Sequence, residues 1–170
     1  MQEIRFTGGE PLLFNGIYDL IRFATEEGIC TSLGTNGTLV TKEVAKKLKE
    51  SGLKKFVVSI DGNKKTHDKI RGRKNYQKAM HGLKYLQKNG INVRVNSVIM
   101  KSNMEDVIKL AKKMSRKKIT IFIRRFISSG RGKHLENNVL NKKDYDYVRN
   151  KLQKELTKKT YVNGHYLRND

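Results

Sequence analysis

Glu10 follows directly on Gly8 and Gly9, and the three close a short β-prone run, Glu3-Ile4-Arg5-Phe6-Thr7. Glycines carry no Cβ, so backbone amides and carbonyls there can come within hydrogen-bonding range of a ligand. A carboxylate beside them adds an acceptor suited to an ammonium group. Pro11 fixes φ and stiffens the exit. Gly-Gly after a strand is also an ordinary turn, so the pair gains weight only from what stands at later strand ends.

Polar residues recur there. The second strand ends in Thr35-Asn36-Gly37-Thr38, and the third in Val58-Ser59-Ile60-Asp61-Gly62, followed by His67 and by Ile70-Arg71-Gly72. The fourth holds Asn96, which must find a partner in a parallel strand, either a ligand or a neighbouring loop. The fifth runs into Arg124-Arg125-Phe126-Ile127-Ser128-Ser129-Gly130-Arg131-Gly132. Each has a plainer reading: Asn36-Gly37 as a turn, His67 as a helix-start or surface histidine, Arg71 and Arg131 as surface charges. Cys30, the single cysteine, reads as packing. No cysteine pair, no HxxxH and no Ser-His-Asp order offers a metal or nucleophilic site, and no GxGxxG opens a helix. No residue is singled out as catalytic.

The elements that must position these residues follow one grammar. Strands begin near 3, 30, 55, 92 and 119, with apolar residues at helical spacing between them. Asn15 and Thr41 are expected helix caps, Asn103 with Asp106 opens a later helix, and Gly28, Gly52 and Gly90 end helices. Between Gly62 and Tyr76 a longer connection is expected. Alternating strands and helices imply parallel βα units with right-handed crossovers, and ligands bind at the carboxyl ends of such strands. Five units are too few for a closed eight-stranded barrel. The expected fold is therefore α/β, a parallel-sheet partial barrel of about five βα units, then a loop after Arg131 and a final helix capped by Asn141 and Asp144.

The composition bounds the rest. A length of 170 residues with 36% apolar content suits one polar domain, and one cysteine fits a reducing, cytoplasmic setting. No apolar run is long enough for a membrane span. The net charge is +21. Residues 1–35 hold two basic and five acidic side chains, a net −3, so the remainder carries +24. Such a balance admits an anionic partner such as nucleic acid, but 26 of the 37 basic residues are lysines, spread over the expected helices from residue 41 onward. Solvated helix faces are therefore favoured over a nucleic-acid module.

Thr7-Gly8-Gly9-Glu10-Pro11-Leu12 resembles the methionine-binding motif of the radical S-adenosylmethionine (radical SAM) superfamily. The Thr35-Asn36-Gly37 and Ser59-Ile60-Asp61-Gly62…His67…Arg71 patterns, and the segment ending Gly130-Arg131-Gly132, resemble the branch of sulfatase-maturating and peptide-modifying enzymes. The resemblance covers about residues 2–132, which implies a core at 1–132 and a helical extension at 133–170. It implies cofactor binding by Gly8, Gly9, Glu10, Thr35, Ser59, Arg71, Asn96 and Arg131: the glycines and Glu10 at the methionyl ammonium, Ser59 near the ribose or carboxylate, Arg71 at the carboxylate and Arg131 beside the adenine. Family members cleave S-adenosylmethionine reductively at a [4Fe–4S] cluster held by a CxxxCxxC loop, and this chain shows no such loop. The expectation is a core beginning at the family's second strand, without a cluster ligated by this chain alone. A complementary N-terminal fragment carrying the loop and a peptide or protein substrate are the implied partners. The alternative is a degenerate, non-catalytic domain or a basic nucleic-acid-binding module.

Overall fold

The computed structural model describes residues 2–155. Five parallel strands form one sheet in chain order: β1 (Glu3–Phe6), β2 (Cys30–Thr35), β3 (Lys55–Ser59), β4 (Asn92–Ile99) and β5 (Thr120–Arg125). The helices are α1 (Ile17–Glu26), α2 (Lys42–Glu50), α3 (Lys64–Arg71), α4 (Asn75–Lys88), α5 (Met104–Arg116) and α6 (Lys142–Glu155). The chain divides into two compact units, Met1–Ser59 with Arg73–Arg94, and Ile60–Gly72 with Val95–Asp170.

In the first unit the register sets which side chains share a face. Arg5 stands opposite Ser32, and Ser32 opposite Lys55. Because side chains alternate, Glu3, Arg5, Ser32, Gly34, Lys55, Val57 and Ser59 lie on one face and Ile4, Phe6, Leu33, Phe56 and Val58 on the other. The second face is the core: Leu33, Phe56 and Val58 are fully buried, together with Ile21 of α1, Leu48 of α2 and Leu86 of α4. Close approach is built from glycines. A Cβ on Gly37 would meet Val58 Cγ1 at 2.8 Å, and one on Gly82, inside α4, would meet the Gly37 carbonyl at 2.9 Å. In the second unit Val95, Ile99 and Ile121 are buried along with Val107, Leu110 and Met114 of α5 and Val148 and Leu152 of α6.

Several local expectations hold and others change. Thr41 caps α2 by accepting from Val44 N–H at 3.2 Å, and Asn141 and Asp144 exchange bonds of 2.9 and 3.0 Å before α6. Gly28, Gly52 and Gly90 adopt φ of +71°, +87° and +69° behind their helices, where L residues are disfavoured. The cap of α1, however, is Gly16 rather than Asn15, and no side-chain bond is made there. The connection after Gly62 contains α3, capped by Asn63, which accepts from Thr66 N–H at 3.0 Å. Its pattern is hard to read because only His67 of its eight residues is buried. The segment after Ser129 is a run of 3-10 turns, Gly130–Asn138.

Candidate functional site

The first cluster lies at the carboxyl ends of β1 and β2. Chain reversal after β1 brings Glu10 against the end of β2, where its carboxylate is held on both oxygens. Oε1 accepts from Thr35 Oγ1 at 2.5 Å and from Leu12 N–H at 3.3 Å, and Oε2 accepts from Asn36 N–H at 2.9 Å. Thr35 is itself fixed, since its Oγ1 accepts from Gly37 N–H at 3.0 Å, and Asn36 Oδ1 accepts from Thr38 N–H at 2.8 Å. Glu10 is half-buried, whereas Gly8 and Gly9 are exposed. Ideal Cβ atoms on either glycine meet nothing within 4 Å, and Gly8 has a φ of +132°. The loop thus presents bare backbone beside a fixed carboxylate whose four lone-pair sites are not all taken. That arrangement can hold a cation with several N–H donors. Ser59 ends β3 half-exposed on the polar face of the sheet.

The second cluster is a knot around Asp61, which is 1% exposed. Its Oδ1 accepts from Val98 N–H at 2.8 Å, and its Oδ2 from Arg71 Nε at 2.5 Å. Its own N–H donates to His67 Nδ1 at 3.1 Å, and its carbonyl accepts from Asn103 Nδ2 at 3.2 Å. Asn103 also accepts from Met100 N–H at 2.7 Å and donates to the Val98 carbonyl at 2.9 Å. Asp106 receives Asn63 Nδ2 at 2.8 Å and a short bond from Thr66 Oγ1. One carboxylate therefore ties together the ends of α3 and β4. Burial, the largest cause, pushes the His67 imidazole below its usual range, and the Arg71 charge acts the same way against the pull of Asp61 and Asp68. With Nδ1 accepting an N–H, His67 is the neutral tautomer protonated at Nε2.

These contacts revise several readings. His67 is fully buried, not a surface histidine. Asn103 serves the knot instead of capping α5 with its side chain. Arg71 donates its Nε to Asp61, so at least that part of its guanidinium is structural. Asn96 is half-exposed and accepts from Arg124 Nε, on β5, at 3.1 Å. Arg131 belongs to the Gly130–Asn138 segment, and its side chain lies outside the described residues. The structure thus brings Thr35 and Glu10 together, and separately Arg71 with Asp61 and His67. The Asp61 knot was visible in sequence only as a turn, because nothing in Asp61-Gly62 signals a partner ten residues on.

No group of three or more metal-ligating side chains occurs among the described residues. Cys30 stands half-buried at the amino end of β2, opposite to the end that carries Thr35. The acceptors at Glu10 therefore fit an ammonium group, and the described residues hold no ligand set for an iron–sulfur cluster. No helix among them is long and apolar enough to cross a membrane.

The chain is 33% identical over 152 residues to an AdoMet-dependent heme synthase of Nitratidesulfovibrio vulgaris, covering 86% of the chain and 41% of that protein. It is 38% identical over 139 residues to an Fe-coproporphyrin III synthase of Methanosarcina barkeri, covering 81% and 35%. It spans less than half the length of these curated relatives. Among solved structures, Streptococcus suis SuiB bound to S-adenosylmethionine superposes with a TM-score of 0.75 at 20% identity, over 97% of this chain and 40% of that one. Native anSMEcpe with bound AdoMet gives 0.71 at 23%, over 96% and 50%. At such identities these show the shared fold. The family model of the radical SAM superfamily matches residues 1–114, and the chain belongs to that superfamily.

Proposed function

We propose that residues 1–132 form the S-adenosylmethionine-binding part of a radical enzyme, with 133–170 as a helical extension. The observation that carries this reading is the Glu10 carboxylate, fixed by Thr35 and Asn36 beside the open Gly8-Gly9 backbone. In this reading Glu10 and the glycine carbonyls accept from the methionyl ammonium. Ser59, Asn96, Arg71 and Arg131 are assigned to the carboxylate, ribose and adenine on the family pattern. Bound there in a complete enzyme, S-adenosylmethionine would supply hydrogen-abstracting radical chemistry. The residues of this chain bind and orient the cofactor.

Calorimetry with S-adenosylmethionine tests the assignment. Weak, saturable binding is expected, and Glu10→Gln should lower affinity at least tenfold, the loss of a charge-assisted bond of about 1.5–3 kcal/mol. Absence of binding at millimolar cofactor, or a Glu10→Gln variant that binds equally, overturns it.

For the substrate, peptide or protein modification is the reading of the Ser59…His67…Arg71 and Gly130-Arg131 patterns, and structural neighbours are seen with a precursor peptide, SuiA, and with the Cp18Cys peptide. A tetrapyrrole is the second reading, favoured by heme synthase relatives at 32–33% identity over 86–95% of the chain. Titrating Fe-coproporphyrin III separates them: a saturable Soret shift supports the tetrapyrrole, and an unchanged spectrum supports the peptide. The nucleic-acid alternative has one local feature, a stripe of Lys109, Lys112, Lys113, Arg116 and Lys117 lining a shallow depression on α5. RNA affinity that falls steeply between 50 and 200 mM salt would favour it.

A further inference from the structure

The face of β1–β3 turned away from α1, α2 and α4 carries charge where the other carries the core. The register sets one row across the three strands, with Arg5 opposite Ser32 and Ser32 opposite Lys55. Lys55 reaches back across β2, over the span of about 10 Å that separates β3 from β1, and pairs with Glu3 at 2.6 Å. Glu3 is the one carboxylate on this face of the three strands. Its bond to Lys55, before every other cause, holds the carboxyl below its usual range. The Arg94 charge is felt at both Glu3 and Lys55.

Arg5 has no such partner. Among the described residues no carboxylate pairs with it, and its guanidinium lies instead across Gly34. An ideal Cβ on Gly34 would stand 3.4 Å from Arg5 Nη2, 3.7 Å from Arg5 Nε and 3.5 Å from Thr7 Oγ1. Gly34 is not among the glycines of positive φ, and those are ordinary contact distances, so neither backbone nor crowding demands glycine there. A glycine inside a strand weakens it and marks a place where a ligand or another backbone comes close. What results is a strip of bare backbone bordered by a guanidinium fork and a hydroxyl. Gly34 directly precedes Thr35, which holds Glu10, so a molecule on the strip lies beside the glycine loop.

Charge decides what fits. Arg5, Lys55 and Arg94 are met on this face of β1–β3 by Glu3 alone. The guanidinium fork matches a planar carboxylate. Two cationic centres, held two strands apart on a rigid sheet, suit a rigid molecule with carboxylates at separate edges; a flexible peptide segment brings no such fixed spacing.

We propose that this face binds peripheral carboxylates of a tetrapyrrole substrate, Arg5 taking one over the Gly34 strip and the Lys55–Arg94 side taking a second. Arg5 is then a specificity-determining residue. The proposal rests on the tetrapyrrole reading above and names the groups that recognise such a substrate.

The test follows the Soret band of Fe-coproporphyrin III titrated with the full chain, beside its methyl ester, which keeps the ring and lacks the carboxylates. A saturable shift is expected for the acid, and binding weaker by about tenfold or more for the ester. Arg5→Gln should weaken binding of the acid to the same degree, and Arg5→Lys less, because an ammonium keeps the charge without the fork. Glu3→Gln frees Lys55 and should tighten binding about threefold, the scale of an exposed ion pair, a gain that a structural role does not give. Gly34→Val fills the strip with a residue that strands favour; circular dichroism should show it folded, with the acid bound about tenfold more weakly. Lys109→Gln/Lys113→Gln on α5 should change nothing, which separates the site from the overall positive charge. No Soret shift, equal binding of the ester, Arg5→Gln binding like the parent, weaker binding by Glu3→Gln, or an equal loss from the α5 variant overturns the proposal. So does an Arg5→Gln variant that loses S-adenosylmethionine in calorimetry, since the guanidinium then serves the cofactor. Calorimetry on the parent chain judges the cofactor reading by itself, so either idea can fail alone.

Discussion

Arg71→Ala decides whether this arginine serves the fold or the cofactor. Its Nε meets the Asp61 carboxylate at 2.5 Å, with the Asp61 side chain 1% and the Arg71 side chain 30% exposed. Removing one partner of a buried pair leaves the other charge desolvated, at about 3–5 kcal/mol. The partial exposure of Arg71 admits some solvent screening, so a loss of about 3 kcal/mol is expected. Asp61→Ala should cost about 3–5 kcal/mol, because it also strips the acceptor from Val98 N–H. Asp61→Asn keeps one oxygen for Val98 but turns an NH2 toward Arg71 Nε, so it loses that acceptor as well as the charge and should cost about 3 kcal/mol, as Arg71→Ala does. Urea unfolding followed by far-UV circular dichroism measures all three, and the double variant Asp61→Ala/Arg71→Ala should show coupling of about 1–3 kcal/mol. An Arg71→Ala variant as stable as the parent, with S-adenosylmethionine affinity reduced, would refute the structural account and return the whole guanidinium to the cofactor.

The neutral, buried His67 makes stability depend on pH. Its folded pKa lies below the ordinary 6.5, so below about pH 6.5 the unfolded chain binds the extra proton. Stability should therefore fall as pH drops from about 6.5, by at most about 1.4 kcal/mol per unit, until the folded pKa is reached. Urea midpoints at pH 7.5 and 5.5 should differ in the parent and converge in His67→Gln. Gly37→Ala should cost about 2–4 kcal/mol, since overpacking and left-handed strain each cost ~1–3 kcal/mol and its Cβ would meet Val58 and Ala79 within 3.4 Å; Gly9→Ala, which meets nothing, is the control in the same melt. After anaerobic reconstitution with iron and sulfide the chain alone, with its one cysteine, should hold no stable cluster; stoichiometric iron with the cluster's visible absorption would contradict this.

The order of elements was legible because strands and helices of this chain differ in hydrophobic period, and because Gly28, Gly52 and Gly90 end helices in a conformation that glycine tolerates. The Gly8-Gly9-Glu10 loop was legible for a similar reason: local residue types imply local backbone. What a long side chain touches is a different matter. Nothing near Glu10 in sequence tells that Thr35 and Asn36, about 25 residues on, will hold its carboxylate. Arg71 carries the same guanidinium whether it meets a bound carboxylate or Asp61; only the packing of α3 against the end of β4 chose Asp61. His67 looked like a surface histidine because α3 has no apolar stripe, yet burial came from elements outside its helix. Leu20 and Phe23 fit the same helical period as Ile17 and Ile21, and periodicity could not separate them. Ile17 and Ile21 are buried while Leu20 and Phe23 stay exposed, a difference fixed by the neighbours that α1 packs against and not by its own pattern.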